Sequence, residues 1–333
     1  MIIGIPRCLF YYHYYPQWKT FFNLLGHEVI VSRNTDKGIA NQGICSAVSE
    51  ACYPIKIAYG HVMELGNQQL DYVFVPRLMS VEKNYYICPK FMGLPDMIRA
   101  QMNECPPIID LCVDHCQDKR YFKKEFNRWT GILGANQRQL AEAWQESKKV
   151  LIDVNDVCSS GYNLDEAIQI WEGEKVDRPE PGDLTIGLLG HCYTLNDELL
   201  SLGIIKRLRE MNVNVVTAEM RNPKDVERAV LGLPKRMFWT VGRQQIGAAL
   251  DMDKDSELDG LIYMSCFGCG PDSIVSEVIQ HRVSQKPFMM LTVDEHSGEA
   301  GTVTRLEAFC DMLRRQPPGE SNISPYGEHT YSY

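Results

Sequence analysis

The sequence has no block of basic residues. Its 34 Lys and Arg are outnumbered by 43 Asp and Glu, which gives a formal net charge of −9. Proteins that bind nucleic acid generally present a basic patch or stripe to the phosphate backbone. We therefore expect no nucleic-acid partner.

Long apolar runs and nucleotide-binding loops are also missing. No apolar stretch approaches the roughly 18 residues of a membrane-spanning helix, and the N-terminus lacks the pattern of a secretory signal peptide. Neither the dinucleotide motif G-x-G-x-x-G after a strand nor the phosphate-binding motif G-x-x-x-x-G-K-S/T occurs. These absences predict a cytoplasmic protein that has no membrane partner and does not hydrolyse ATP itself.

Cysteine is too sparse for a disulfide framework. Twelve cysteines among 333 residues fall far below the roughly 8–10% of a small disulfide-rich scaffold. We therefore expect free thiols in a reducing compartment. Cys45 and Cys310 lie among the apolar positions of predicted helices, where a free cysteine usually behaves as a small buried hydrophobe. We predict that both are buried.

Strand and helix patterns alternate in two stretches of the chain, residues 1–116 and 183–316. The first stretch opens with strand, helix and strand, and residues 71–78 form a further strand candidate. The second stretch opens with a strand over 183–191 and a helix over 197–212, whose apolar residues recur at helical spacing. This alternation predicts an α/β fold of two Rossmann-like lobes with parallel sheets, which bind ligands at the carboxyl ends of their strands.

Two segments do not follow this alternation. Residues 117–182 are rich in Lys, Glu, Gln, Trp and Leu with helical periodicity, and we predict a helical connector between the lobes. Residues 317–333 are rich in Pro, Gly and Ser, and we predict an irregular tail.

Cys52 and Cys88 stand in similar local sequences. Each is followed closely by a proline, and a lysine comes soon after it, Lys56 in the first case and Lys90 in the second. The prolines interrupt regular structure near the thiols, and a nearby lysine lowers the pKa of a thiol and offsets the charge of a thiolate-bound cluster. We predict that both cysteines bind a metal cluster and that both lysines lie beside it.

The segment SCFGCGPD contains a C-x-x-C pair, Cys266 and Cys269, at the end of an apolar strand. Gly268 and Gly270 would allow the backbone to approach a cofactor closely. A thioredoxin-like dithiol is one alternative, but it gives no role to Cys52. A structural zinc site is another, but such sites normally use two short-spaced pairs. We predict a metal or redox site.

Three further residues are weaker candidates. Cys192 follows the first strand of the second lobe and is placed to reach the crevice between the lobes as an extra metal ligand. Glu295 and His296 follow a late strand and are candidate acid–base groups, although residues in such positions more often bond to nearby backbone.

Several segments, in order along residues 1–315, resemble the activase-associated branch of the 2-hydroxyacyl-CoA dehydratase and double-cubane cluster proteins. They are GIPRCLFYYHYYPQWKTFF, SEACYPIKIAYGHV, FVPRLMS, CPKFMGLPD, SCFGCGPDS and VDEHSGEAGTVTRLEAF. One segment, LLGHCYTLND, departs from the pattern, because Cys192 stands where a proline is expected.

The resemblance implies an iron–sulfur cluster held by three cysteines, which map to Cys52, Cys88 and either Cys269 or Cys266. It also implies a homodimer that receives single electrons from a separate ATP-hydrolysing activase bearing its own cluster. These electrons would serve acyl-CoA dehydration or small-molecule reduction. We expect one or two 4Fe–4S clusters, or a fused double cubane if Cys192 takes part, in the crevice between the lobes. The alternatives are a non-catalytic module that carries clusters or binds an activase, and a metal-free small-molecule-binding protein.

Overall fold

The computed structural model describes residues 1–102, 106–117 and 119–315, and the predicted tail lies outside them. The first half of the chain forms a parallel sheet of four short strands in the order β2-β1-β3-β5, and β4 pairs with β6 in a separate parallel ribbon. Its elements are β1 (Ile2–Ile5), α1 (Tyr11–Leu24), β2 (Glu28–Val31), α2 (Lys37–Ser46), α3 (Tyr53–Gly66), β3 (Tyr72–Phe74), β4 (Arg77–Ser80), α4 (Pro89–Gln101), β5 (Ile108–Ile109) and β6 (Cys112–Asp114).

Four helices follow and pack against this first half. They are α5 (Lys119–Leu133), α6 (Gln137–Ser147), α7 (Val150–Ser159) and α8 (Leu164–Trp171). Helices α6, α7 and α8 all contact α1. Asn136 and Asn163 begin α6 and α8 with capping boxes, in which the side chain accepts a hydrogen bond from the third helical amide.

The second half forms another parallel sheet, in the order β10-β9-β7-β8. Its elements are β7 (Leu184–Gly190), α9 (Cys192–Asn196), α10 (Ile204–Glu210), β8 (Val213–Thr217), α11 (Pro223–Ala229), α12 (Thr240–Met252), β9 (Gly260–Cys266), α13 (Gly270–Arg282), β10 (Phe288–Val293) and α14 (Glu299–Arg315). The predicted α/β fold with parallel, Rossmann-like sheets is confirmed.

Three local predictions were wrong. The strand candidate over 71–78 is divided between β3 and β4 at Pro76, which has no N–H for a sheet hydrogen bond. The helix expected over 197–212 begins only at Ile204, because Leu202 and Gly203 both adopt positive φ angles. Cys45 was predicted to be buried but is exposed, because α2 buries the face that carries Ile39, Ala40 and Gly43. The prediction that Cys310 is buried is confirmed.

A continuous hydrophobic core joins the two halves. An aromatic cluster of Phe10, Phe91 and Tyr193 lies between α1, α4 and α9, with ring centroids 4.8 to 6.0 Å apart. Because Phe91 and Tyr193 belong to the first turns of their helices, this cluster holds the beginnings of α4 and α9 against each other.

Candidate functional site

Three helices begin immediately after a cysteine. Cys52 precedes α3, Cys88 precedes α4 and Cys269 precedes α13. Each helix has a proline at its first or second position, where the missing N–H costs no hydrogen bond and the fixed φ suits the helix. A helix N-terminus carries partial positive charge and unpaired amides, and it therefore favours an anionic group such as a thiolate.

The thiols of these three cysteines lie close enough to influence one another. Burial raises the pKa of Cys269 most strongly, Asp272 raises it further, and Cys52 and Cys88 both add to the effect. Burial likewise raises the pKa of Cys52, and Cys88 adds to it. The backbones also meet, because a Cβ atom on Gly268 would lie 3.8 Å from the Cα of Cys52. The structure therefore brings Cys52, Cys88 and Cys269 together from both halves of the chain.

Lys90 connects two of these cysteine loops. Its Nζ donates hydrogen bonds to the carbonyl oxygen of Glu50, at 2.8 Å, and to that of Gly268, at 3.4 Å. Its charge lowers the pKa of the Cys52 thiol, against the larger opposite effect of burial. Lys90 thus lies beside the cysteine loops, and its role next to a cluster stays a prediction.

Lys56 pairs with a carboxylate of the second half of the chain. Its Nζ forms a largely buried ion pair with Glu295 in the loop after β10. This pair engages both the lysine predicted to lie beside a cluster and one of the two candidate acid–base groups. His296 follows in the same loop, and its backbone N–H donates a hydrogen bond to Asp294 Oδ1 at 2.9 Å. This is the bonding to nearby backbone that residues in such positions form more often than they act as acid–base groups.

The two glycines of the C-x-x-C segment differ from each other. Gly268 has a φ of +76°, a left-handed conformation that favours glycine. Gly270 is the first residue of α13, and an added Cβ there would meet no atom within 4 Å among the described residues. Glycine is therefore required by the backbone at Gly268 only.

Cys266 and Cys192 differ in their relation to this group. Cys266 ends β9, is 3% exposed, and has its Sγ 3.6 Å from Thr194 Oγ1; burial raises its pKa, and Cys52 is among the groups that add to this. Cys192 is the first residue of α9, where burial and then Glu219 raise its pKa. The structure therefore places Cys266 near the three-cysteine group and places Cys192 beside a separate carboxyl group.

Two residues that the sequence did not point to complete the site. His191 precedes Cys192, and Asp272 lies in the first turn of α13; with Cys269 they form a group whose ligand atoms all lie within 4.8 Å of one another. His191 Nε2 is 3.0 Å from Asp272 Oδ1 and 3.9 Å from Cys269 Sγ. Burial opposes ionisation of Asp272, but His191 and Tyr263 hold the pKa of this carboxyl below its usual range.

A crevice of about 640 Å³ opens next to the cysteine loops. Its lining includes Tyr53, which follows Cys52, and Glu295, together with charged residues of α2 and α10. It lies at the carboxyl end of β10, the position at which parallel α/β sheets usually bind ligands. The volume is sufficient for a small polar molecule.

None of the helices in the described ranges is long and apolar enough to cross a membrane.

Comparison with known proteins identifies one related family. The model of a family described as "CoA enzyme activase uncharacterised domain" matches residues 2–220, about two thirds of the chain. No curated protein matches the chain. The solved structure of a periplasmic sugar-binding protein from Pseudomonas fluorescens aligns with 94% of this chain and 92% of its own at 12% identity. The TM-score of 0.23 is too low for any conclusion about this chain.

Proposed function

The chain belongs to the family of the CoA enzyme activase uncharacterised domain, and on this premise we propose that it is a cytoplasmic iron–sulfur protein. In this proposal, it receives low-potential electrons from an ATP-hydrolysing activase that carries its own cluster. The observation that supports it best is the meeting of Cys52, Cys88 and Cys269 at the N-termini of three helices.

The donor set suits a cluster better than most single ions. Soft thiolates select iron–sulfur clusters, copper or zinc, whereas calcium and magnesium prefer oxygen. The three helix N-termini and Lys90 would offset the negative charge of a thiolate-bound cluster. Cys52, Cys88 and Cys269 would hold the cluster, with Cys266 as a fourth thiol close by.

When bound, an iron–sulfur cluster supplies one-electron transfer at a potential set by its surroundings. The chain's own residues would exclude water from it and position it. Cys52 is 8% exposed and Cys266 is 3% exposed, whereas Cys88 and Cys269 are only partly buried, so the chain would shield a cluster from solvent on one side. The crevice lined by Tyr53, the residue after Cys52, would hold a small substrate near the Cys52 loop, which favours a reductase or dehydratase over a pure cluster carrier.

A single zinc ion is the second candidate occupant. The group of His191, Cys269 and Asp272 offers nitrogen, sulfur and oxygen atoms close enough together to bind one ion. Such a site would leave Cys52 and Cys88 without a role, and metal analysis separates the two proposals.

The first experiment is metal and sulfide analysis of protein purified without oxygen. One 4Fe–4S cluster gives about four iron atoms and four acid-labile sulfides per site. Cys52→Ala, Cys88→Ala and Cys269→Ala should each lower the iron content, because each removes a thiolate ligand. Cys310→Ala is the matched control, since Cys310 is buried in α14. Metal-free protein, one equivalent of zinc, or equal iron in all four variants would contradict the proposal.

The second experiment tests the partner. The iron-loaded protein, taken as a homodimer, is mixed anaerobically with an activase of this type, a reductant and ATP, and visible absorbance records its reduction. We expect reduction only when ATP is present. Full reduction without ATP or without the activase would show that the protein carries a cluster but takes no part in activase-driven chemistry.

A further inference from the structure

The two ring nitrogens of His191 have different surroundings. The side chain is buried, with 6% of the residue exposed. Its Nε2 faces both Asp272 Oδ1, at 3.0 Å, and Cys269 Sγ, at 3.9 Å. Its Nδ1 is buried and has no hydrogen-bond partner among the described residues. Among the described residues, the close polar contacts of the ring nitrogens are therefore on the side of the cysteine.

The contacts of Asp272 determine which nitrogen carries the hydrogen. Oδ1 accepts a hydrogen bond from the hydroxyl of Tyr263 at 2.7 Å, and Oδ2 accepts one from the backbone N–H of Cys266 at 3.4 Å. A carboxyl group surrounded by donors is stabilised in its ionised form, which can only accept. Nε2 must then be protonated, with Asp272 Oδ1 at 3.0 Å and the Cys269 sulfur at 3.9 Å as the acceptors beside it.

Packing fixes the plane of the ring. The imidazole of His191 stacks on Tyr193, with ring centroids 4.9 Å apart and planes inclined by 16°. Tyr193 in turn belongs to the aromatic cluster with Phe10 and Phe91. The imidazole is thus held beside Cys269 by a carboxylate at one edge and by an aromatic ring stacked on its face.

Packing stability does not explain why a histidine stands here. A buried polar atom without a partner, such as Nδ1, costs about 1–3 kcal/mol. An aromatic hydrocarbon would stack on Tyr193 without that cost. The feature that only a nitrogen-bearing ring provides at this place is the Nε2 atom 3.9 Å from the Cys269 sulfur.

We infer that His191, oriented by Asp272, donates a hydrogen bond to the Cys269 sulfur and thereby raises the reduction potential of the cluster bound there. The inference rests on the proposed function, because a potential exists only if a cluster is present. Donors to ligand sulfurs stabilise the more negative, reduced state of a cluster. His191 is a positioning residue that acts through Cys269, and Asp272 acts through His191.

The test is a redox titration of the iron-loaded protein, followed by electron paramagnetic resonance. His191→Phe keeps the stacking on Tyr193 and removes the donor. We expect the ratio of oxidised to reduced protein at a fixed potential to rise about tenfold, equivalent to about 59 mV for a one-electron couple. His191→Gln, which keeps an N–H, should recover most of the wild-type potential.

Iron content and a second histidine serve as controls. His61→Gln removes a buried histidine that hydrogen-bonds to Ser32 and Thr35 instead, and it should leave the potential unchanged. An unchanged potential in iron-loaded His191→Phe, or loss of iron in both His191 variants, overturns the inference.

The metal-free protein separates failure of the inference from failure of the proposed function. Nitrogen NMR reports which ring nitrogen of His191 is protonated. If the wild-type protein binds no iron, the proposed function fails. A hydrogen on Nε2 in that protein would still support the donor geometry of His191. A hydrogen on Nδ1 would overturn the inference.

Discussion

At the scale of single residues, the segment between Cys266 and Cys269 depends on the backbone of one glycine. Gly268 holds a φ of +76° and its carbonyl oxygen accepts a hydrogen bond from Lys90. Its left-handed conformation turns the chain so that Cys269 begins α13 next to Cys52.

Gly268→Ala should lower the free energy of unfolding by about 1–2 kcal/mol, because an L-residue in the left-handed region is strained. The hypothetical Cβ meets Cys52 only at 3.8 Å, so the cost comes from the backbone rather than from a clash. Urea unfolding measures the change. Gly270→Ala is the matched control, since it fills open space in a helical residue and should be neutral or slightly stabilising. Equal losses in both variants would contradict this account.

At the scale of helices and strands, buried polar pairs join elements that are distant in the chain. Lys56 of α3 pairs with Glu295 after β10. Thr35, before α2, donates to Asp197, at the end of α9. These contacts connect the first half of the chain to the loops and helix ends of the second half.

Lys56→Met should destabilise the fold by about 3 kcal/mol, because it leaves a partly buried carboxylate without its partner. The double variant Lys56→Met, Glu295→Leu should recover most of this loss, as apolar replacements of buried ion pairs often do. The exposed pair Arg138–Glu142 is the control, and Arg138→Met should leave stability essentially unchanged. A double variant no more stable than Lys56→Met would show that the pair does not act as a unit. Urea denaturation of all four proteins provides the comparison.

His61 of α3 should make the stability of the fold sensitive to acid. It is fully buried between Ser32 and Thr35, and burial lowers its pKa from 6.5 to about 3. Below pH 6.5 the unfolded chain therefore binds a proton that the native state does not. Stability should fall with pH down to about 3, by up to about 1.4 kcal/mol per pH unit from this group.

Urea unfolding at pH 7 and pH 5 checks this prediction. His61→Gln should show a smaller difference between the two pH values than the wild-type protein does. His281→Gln, at an exposed position of α13, should keep the full difference. An identical pH dependence in all three proteins would assign the acid sensitivity to other groups.

At the scale of the whole molecule, the proposed ligands come from both sheets. Cys52 and Cys88 belong to the first half of the chain and Cys269 to the second. A bound cluster would therefore link the halves and stabilise the native state by mass action, since the unfolded chain does not hold the cysteines together.

Removal of iron with a chelator should lower the melting temperature by about 5 °C or more, because the link between the halves is lost. Differential scanning calorimetry of loaded and stripped protein measures the difference. The Cys310→Ala protein should show the same drop, and the Cys52→Ala protein, already without its cluster, should show none. An equal drop in Cys52→Ala would mean that the chelator acts elsewhere.

The sequence alone determined the features that depend on local chemistry. The strand–helix alternation predicted parallel α/β sheets, because hydrophobic period and turn residues are local properties. The prolines close to Cys52 and Cys88 were expected to interrupt regular structure, and this expectation was wrong, because both prolines stand in the first turn of a helix, where proline is well tolerated. The cluster itself stays a prediction from these residues and their resemblance.

Only the tertiary structure decided which of these residues meet. Lys56 and Lys90 looked alike in sequence, yet Lys56 pairs with Glu295, 239 residues away, and Lys90 reaches Gly268. His191 gave no local signal, because its partner Asp272 lies on another element, after β9. A side chain's neighbours depend on how strands are ordered within the sheets and how the sheets pack, and no local pattern encodes that order.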